Sequence, residues 1–262
     1  MGRLPMAELT SPRLAEHTAG RCVGLVSAGA TEQHGPHLPL ATDTIIATHL
    51  VDAIAGRIPA PVVVPPTIPV GISQHHLGFP GTIHVPEPAF AEVVHAYVRA
   101  LRDAGVRQVA LMSSHGGNFA CLGKVAASYS ADPDVAVIAF DDLPRYAAIM
   151  AGAAATAGLD VPASDIHAGG LETSQMLHLW GPDRIPMDPP PEGYVEAEPG
   201  WLDRLFAEGI RGLSEIGVLG RPAGARSDVG RAVCDALADE LAAWIMAGFG
   251  IEAETNGRVA AG

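Results

Sequence analysis

The sequence predicts an α/β protein built on a mostly parallel sheet. Two patterns carry that expectation. Short apolar runs alternate with longer amphipathic stretches of helical length, as βαβ units require. Candidate site residues follow the ends of three of those runs, a loop dense in His and carboxylates after the first, His75 and His76 after the second and His115 after the third, where ligands collect in open parallel sheets.

With 262 residues, 48% of them hydrophobic, the chain can bury a full core and reads as a single domain over residues 1–262. The 16 basic and 29 acidic residues leave a net charge of −13, which argues against nucleic acid or an anionic membrane as the main partner. Cys22, Cys121 and Cys234 are far apart and form no C-x-x-C pair, so neither a disulfide framework nor a thiolate zinc site is expected. Residues 1–21 mix Arg, Glu and Pro without the apolar stretch of a secretory signal, and a reducing cytoplasm is the default.

Residues 22–28 form an apolar run ending in small residues, a buried strand. The loop Thr31-Glu-Gln-His-Gly-Pro-His-Leu-Pro-Leu-Ala-Thr-Asp43 follows at once, and its glycine and prolines exclude a helix or central strand. Residues 44–58 place Ile45, Ile46, Leu50, Ala53, Ile54 and Ile58 on one helical stripe, with Thr42 or Asp43 positioned to cap it. Residues 62–64 are a second strand, ended by Pro65-Pro66. The glycine-rich loop 71–82 carries His75 and His76 and reads as a wall or lid. Residues 89–104 are an amphipathic helix stopped by Gly105. Residues 108–112 are a third strand running into Ser113-Ser-His-Gly-Gly-Asn118, with Asn118 placed to cap the next helix. Residues 135–140 make a fourth strand, and the Ala-rich stretch 147–158 a tightly packed helix too short to cross a membrane. Segment 165–174 sets His167 and Glu172 on either side of a Gly pair, before a short helix. A Pro-rich connection (181–200) and turns at 214–222 precede a last helix capped by Ser227. The tail from residue 252 on is expected to fray.

Glu32, His34, Asp43, His115 and Glu172 read as one metal-ligating cluster. Two imidazoles and three carboxylates suit one or two borderline divalent cations, Zn, Mn or Fe, and not Ca. Asp43 is the choice for a bridge, because a position at a helix start fixes both its oxygens outward. Two cations sharing a carboxylate sit about 3.5–4 Å apart and activate one water. Neither a G-x-S-x-G elbow nor a G-x-G-x-x-G fingerprint is present, which removes a serine hydrolase of that kind and a dinucleotide enzyme.

The segments 32–43, Phe79-Pro-Gly-Thr82, His115-Gly-Gly-Asn118 and His167-Ala-Gly-Gly-Leu-Glu-Thr-Ser174 resemble the creatininase (creatinine amidohydrolase) family in order and spacing, over roughly residues 23–245. The resemblance implies a three-layer α/β/α sandwich, a dinuclear metal centre, hydrolysis of an amide-type C–N bond and a homo-oligomer, a hexamer being favoured. It matches Glu32, His34, Asp43 and His115 to metal ligands, with Asp43 bridging. It matches His167 to the histidine that helps protonate the leaving nitrogen, His76 being the second choice for that catalytic role. Ser73, His75, Gly116 and Gly117 are the expected substrate-binding positions. Creatininase proper has a Tyr-Glu pair where this chain has Gly116 and Gly117, and that Glu is a ligand; Glu172 is the nearest replacement. The Gly-Gly form resembles other branches of the family, among them the mycofactocin-system peptidase, which trims a modified precursor peptide, and a formamide deformylase. A non-catalytic metal-binding homologue is the reading from another class.

Overall fold

The structure is a computed structural model that describes residues 2–252; residues 253–262 of the expected frayed tail lie outside the described residues. In chain order the elements are β1 (Arg3–Pro5), α1 (Ser11–Thr18), β2 (Val23–Ala28), α2 (Thr42–Ala55), β3 (Val62–Val64), α3 (Glu87–Asp103), β4 (Gln108–Ser113), α4 (Phe119–Ser128), β5 (Ala136–Ala139), α5 (Leu143–Thr156), α6 (Gly170–Trp180), α7 (Trp201–Glu208) and α8 (Ser227–Phe249). The strands form one sheet in the order β1-β3-β2-β4-β5, with every pairing parallel.

Strand periodicity divides the core between the two faces of the sheet. Val23 and Leu25 of β2, Val62 and Val64 of β3, and Ala110 and Met112 of β4 point to one side, where α2, α5, α6 and α8 cover them. Val26, Val63, Val109 and Leu111 point to the other side, against α3, α4 and α1. The outcome is the expected three-layer α/β/α sandwich. Each fully buried Leu, Ile or Phe contributes about 1.5–3 kcal/mol of transfer free energy, and Leu25, Leu50, Ile54, Phe90 and Leu111 are among the completely buried side chains.

The strand order fixes where a ligand can sit. From β2 the chain crosses through α2 to β3 on one side. It then returns through α3, on the opposite face, to β4 on the other side of β2. That reversal of direction makes the carboxyl ends of β2 and β4 the topological switch point, the usual crevice of such sheets.

Three expected helix caps are corrected. Asp43 lies inside the first turn of α2, whose N-cap is Ala41, so its carboxylate is free of capping duty. Asn118 precedes α4 without capping it, because its side chain is spent across the strand ends: Oδ1 accepts from Ile72 N, and Nδ2 donates to Gly29 O and Ser113 Oγ. Ser227 is the first residue of α8, and its hydroxyl caps nothing; Arg226 holds the cap position. Similarly, Glu172 sits within the first turn of α6 rather than before the helix.

Candidate metal centre

Loops leaving β2, β3 and β4, together with the start of α6, converge beyond the switch point. Thr44 Oγ1 donates to Ala30 O (2.9 Å) and Ser114 Oγ to Asp43 O (2.6 Å), which ties the start of α2 to the ends of β2 and β4. These bonds place Asp43 between the two strand ends. At α6, the buried Asp165 accepts from the backbone N–H of Gly170, Leu171 and Arg221, so the turn carrying His167 and Glu172 is held by its own carboxylate. Ala168, between them, has φ +53°, a left-handed conformation that costs about 1–3 kcal/mol for a residue with a side chain. Its N–H donates to Glu172 Oε2 (2.6 Å), so the strained residue fixes that carboxylate.

The resulting cluster has two halves. Ligand-type atoms of Glu32, Asp43 and His115 lie within 4.8 Å of one another, and so do those of His34, His167 and Glu172; Glu32, His76 and His167 form a third such group that links the two. Asp43 faces both. Its Oδ2 is 3.5 Å from His115 Nδ1, and its Oδ1 is 3.5 Å from His34 Nε2, which is itself 3.7 Å from Glu172 Oε2. Glu32 Oε1 is 3.2 Å from His115 Nδ1 and 3.1 Å from His76 Nε2. Those contacts are not aligned as hydrogen bonds. Both oxygens of Glu32, Asp43 Oδ2 and His34 Nε2 are buried with no hydrogen-bond partner. Burying polar atoms unpaired costs roughly 1–3 kcal/mol each, and more for charged groups. So many in one place suit a site that a cation would complete.

The outer partners aim the imidazoles. His34 Nδ1 lies 3.1 Å from Glu32 O and His115 Nε2 lies 3.2 Å from Ile72 O. A carbonyl only accepts, so each of these nitrogens carries the proton and donates it. In the neutral rings this leaves His34 Nε2 and His115 Nδ1, which face the carboxylates, as the bare nitrogens a cation could use.

Electrostatics in the metal-free cluster run strongly against ordinary values. Burial alone would lower the His34 and His115 pKa values. The carboxylates overcome it: Asp43, Glu172 and Glu32 raise His34 to about 10, and Glu32 and Asp43 raise His115 to about 9. Burial raises Glu172, with His34 opposing. Burial would also raise Glu32, yet His115 holds it below the usual carboxylate range. His76 and His167 fall well below the usual imidazole range, because both are buried and crowded by other imidazoles that disfavour a further positive charge, His167 for His76 and His34 for His167.

The remaining expected residues divide. His76 and His167 lie against Glu32, their nearest nitrogens 3.1 and 3.9 Å from Oε1. Ser73 is fully buried and its hydroxyl has no partner. His75 stays outside the ligand groups; its ring stacks 5.8 Å from that of His115 and lines a cavity of about 450 Å³ with Gly117, Phe206, Glu208 and Arg211. Gly116 lies at the surface beside Leu143. A Cβ at Gly117 would collide with Ile72 O and come 2.6 Å from His115 Nε2, so this backbone has no room for a side chain there. His37, near in sequence, pairs with Thr173 Oγ1 instead (2.9 Å).

Two contributors had no signal in the sequence. Gln33, between two candidate ligands, is buried and bonded to the site's imidazoles. Phe206, on the unanticipated α7, is 73% exposed at the cavity mouth, 6.4 Å from the His75 ring.

The chain is similar to known proteins in sequence and in fold. The family model described as creatininase, creatinine amidohydrolase, matches residues 7–245. The mycofactocin precursor peptide peptidase of Mycolicibacterium smegmatis is 32% identical over 228 residues, 84% of each chain. A crystal structure of creatinine amidohydrolase superposes with TM-score 0.70 at 23% identity, covering 94% of this chain and 97% of the other. A manganese form of creatininase gives 0.68 at 24% identity, covering 94% and 99%.

Proposed function

The chain belongs to the creatininase family, and from that premise we propose that it hydrolyses a peptide-type amide with two divalent cations held at the switch point of its sheet. Membership makes it a metal-dependent hydrolase of C–N bonds; the ion count, the ligands and the substrate are our reading. The observation that carries it is Asp43, buried at the first turn of α2 with one oxygen toward each half of the cluster.

In this reading Glu32, Asp43 and His115 would hold one cation, and His34, Asp43 and Glu172 would hold the other. The donor set of imidazoles and carboxylates suits Zn, Mn or Fe. Such a cation polarises a carbonyl oxygen and lowers the pKa of bound water to about 7. One water is consumed, a C–O bond replaces the C–N bond, and His167 delivers the proton to the leaving nitrogen. His76 supports Glu32 and the developing charge. His75 and Gly117 line the cavity that would receive the substrate; of the other expected contacts, Ser73 is fully buried and Gly116 is not among the cavity's lining residues, so both are corrected.

The affinity of the cluster for cations rises with pH. His34 and His115 are protonated at pH 7 in the metal-free protein and must lose those protons to ligate. Zinc uptake at pH 7 is expected to release about two to three protons per chain, two from the rings and part of one from Glu172, which burial raises to about 7, and affinity to increase until roughly pH 9–10, where the rings are already neutral. Calorimetry in buffers of different ionisation enthalpy measures this. Uptake without proton release would rule out these two rings as ligands.

A peptide is favoured over a small ring by the 450 Å³ cavity beside the cluster, with Phe206 at its mouth and Arg211 and Glu208 on its wall. It is favoured also by the relatives that process a precursor peptide. The test is a panel of short peptides, creatinine and a formamide, offered to zinc- and manganese-loaded protein. Turnover of peptides is expected. Phe206→Ala should raise their KM about 2–10-fold with little change in kcat, the size of a lost aromatic contact. Turnover of creatinine or the formamide alone would refute the peptide reading.

The proposal includes a homo-oligomer, a hexamer being favoured, and a reducing cytoplasmic setting, with which three buried free cysteines agree. Among the described residues no helix is long and apolar enough to cross a membrane.

A further inference from the structure

We propose that Gln33 is a positioning residue that makes His76 a proton donor, and His167 a proton acceptor, toward the cluster in the amide hydrolysis proposed above, on which this inference rests. The argument is a count of hydrogens. Gln33 Oε1 accepts from Gly35 N–H (3.0 Å), and Nε2 donates to Gly217 O (3.1 Å). Both partners have fixed polarity, so the orientation of the amide is settled. Gly217 has φ +80°, and a Cβ there would fall on Gln33 Oε1, so the 214–220 turn is shaped around this amide.

One amide hydrogen is left for two imidazole nitrogens, His76 Nδ1 at 3.1 Å and His167 Nε2 at 3.0 Å. His167 Nε2 is also 2.8 Å from the backbone carbonyl of Gln33. A carbonyl oxygen only accepts, so His167 Nε2 carries a proton and gives it there. The remaining amide hydrogen goes to His76 Nδ1. Both neutral rings are thus protonated on Nε2, but they meet the cluster with opposite edges. His76 presents its Nε2–H edge to Glu32 Oε1, 3.1 Å away though out of line for a hydrogen bond. His167 turns a bare Nδ1 toward the same oxygen, 3.9 Å away. Residue 33 therefore sets one ring with its side chain and the other with its carbonyl. His34 and His115 show the contrast, each set by a backbone carbonyl alone.

The roles follow. His76 cannot ligate through Nε2 while that atom holds a proton; it supports Glu32 or negative charge growing on the substrate. His167 can take a proton on Nδ1 and pass it to the leaving nitrogen.

The test is long-range ¹H–¹⁵N correlation spectroscopy of zinc-loaded and metal-free protein labelled in histidine. In the unaltered protein both rings should show a protonated Nε2 and a bare Nδ1. Gln33→Glu replaces a donor with an acceptor, so the His76 proton should move to Nδ1 while His167 is unchanged. Gln33→Leu should leave His76 a mixture of tautomers. In both variants kcat should fall about 10–100-fold, the usual cost of a lost outer partner, while KM and zinc content stay within about twofold. A proton on Nδ1 of either ring in the unaltered protein would overturn the proposal, and so would a Gln33→Glu protein whose His76 keeps a bare Nδ1. If a variant does not fold, the spectrum of the unaltered protein decides alone. The spectrum needs no substrate, so an error in the peptide reading leaves it unaffected.

Discussion

Replacing Asp43 with alanine is expected to strip both cations from the protein and to lower hydrolysis far more than 100-fold. Loss of an outer partner of a ligand already costs about 10–100-fold, and Asp43 faces both halves of the cluster. The fold should survive. The carboxylate does not cap α2, and the contact that anchors the turn is Ser114 to the Asp43 backbone carbonyl, which alanine retains. In the metal-free protein Asp43 helps hold His34 and His115 in their protonated forms, so its removal leaves buried imidazolium charge less compensated, and the metal-free variant should melt below the metal-free parent near pH 7, the gap closing as the pH rises toward about 9–10. Metal analysis by mass spectrometry and a thermal melt check both parts. A variant that keeps its metal and its turnover would end the account.

Glu172→Gln is expected to remove one cation of the pair and to reduce kcat by roughly 100-fold or more, with the other cation retained. Glutamine preserves the shape of the side chain and can still accept from Ala168 N–H, so the strained turn at residue 168 stays in place. The informative companion is Gly117→Glu in the Glu172→Gln background. It restores a carboxylate where creatininase proper has one, yet it should not restore metal or activity. The backbone at 117 lies against Ile72 O and His115 Nε2, and a side chain there displaces the ring that faces Glu32. Recovery of two cations in the double variant would show that the second half of the site is not built on α6.

Much of this site was legible because its chemistry is carried by residue types that rarely cluster at strand ends. Glu32, His34, Asp43 and His115 could be read from their places beyond two apolar runs. The sheet was legible from the runs themselves, since parallel strands covered on both faces read as continuous Val, Leu and Ala. What could not be read was set by tertiary contact. β1 is three residues, Arg3–Pro5, with a proline and a charge, and it exists because Val62–Val64 offers it an edge. Asp43 and Asn118 are good capping types, but in the fold their side chains serve contacts across the strand ends that no local pattern encodes. Gln33 carries no charge and matches no motif. Its part depends on Gly217, which approaches from a turn 184 residues away. Phe206 stands on a helix whose Gly- and Pro-rich surroundings gave no periodic signal.

The central claim is that one carboxylate at the start of α2 is shared by two cations. The direct measurement is anomalous diffraction from crystals of the manganese-loaded protein. Two peaks are predicted, one against Glu32, Asp43 and His115 and the other against His34, Asp43 and Glu172, with a different oxygen of Asp43 facing each. A single peak, or a second peak that Asp43 does not touch, would contradict it.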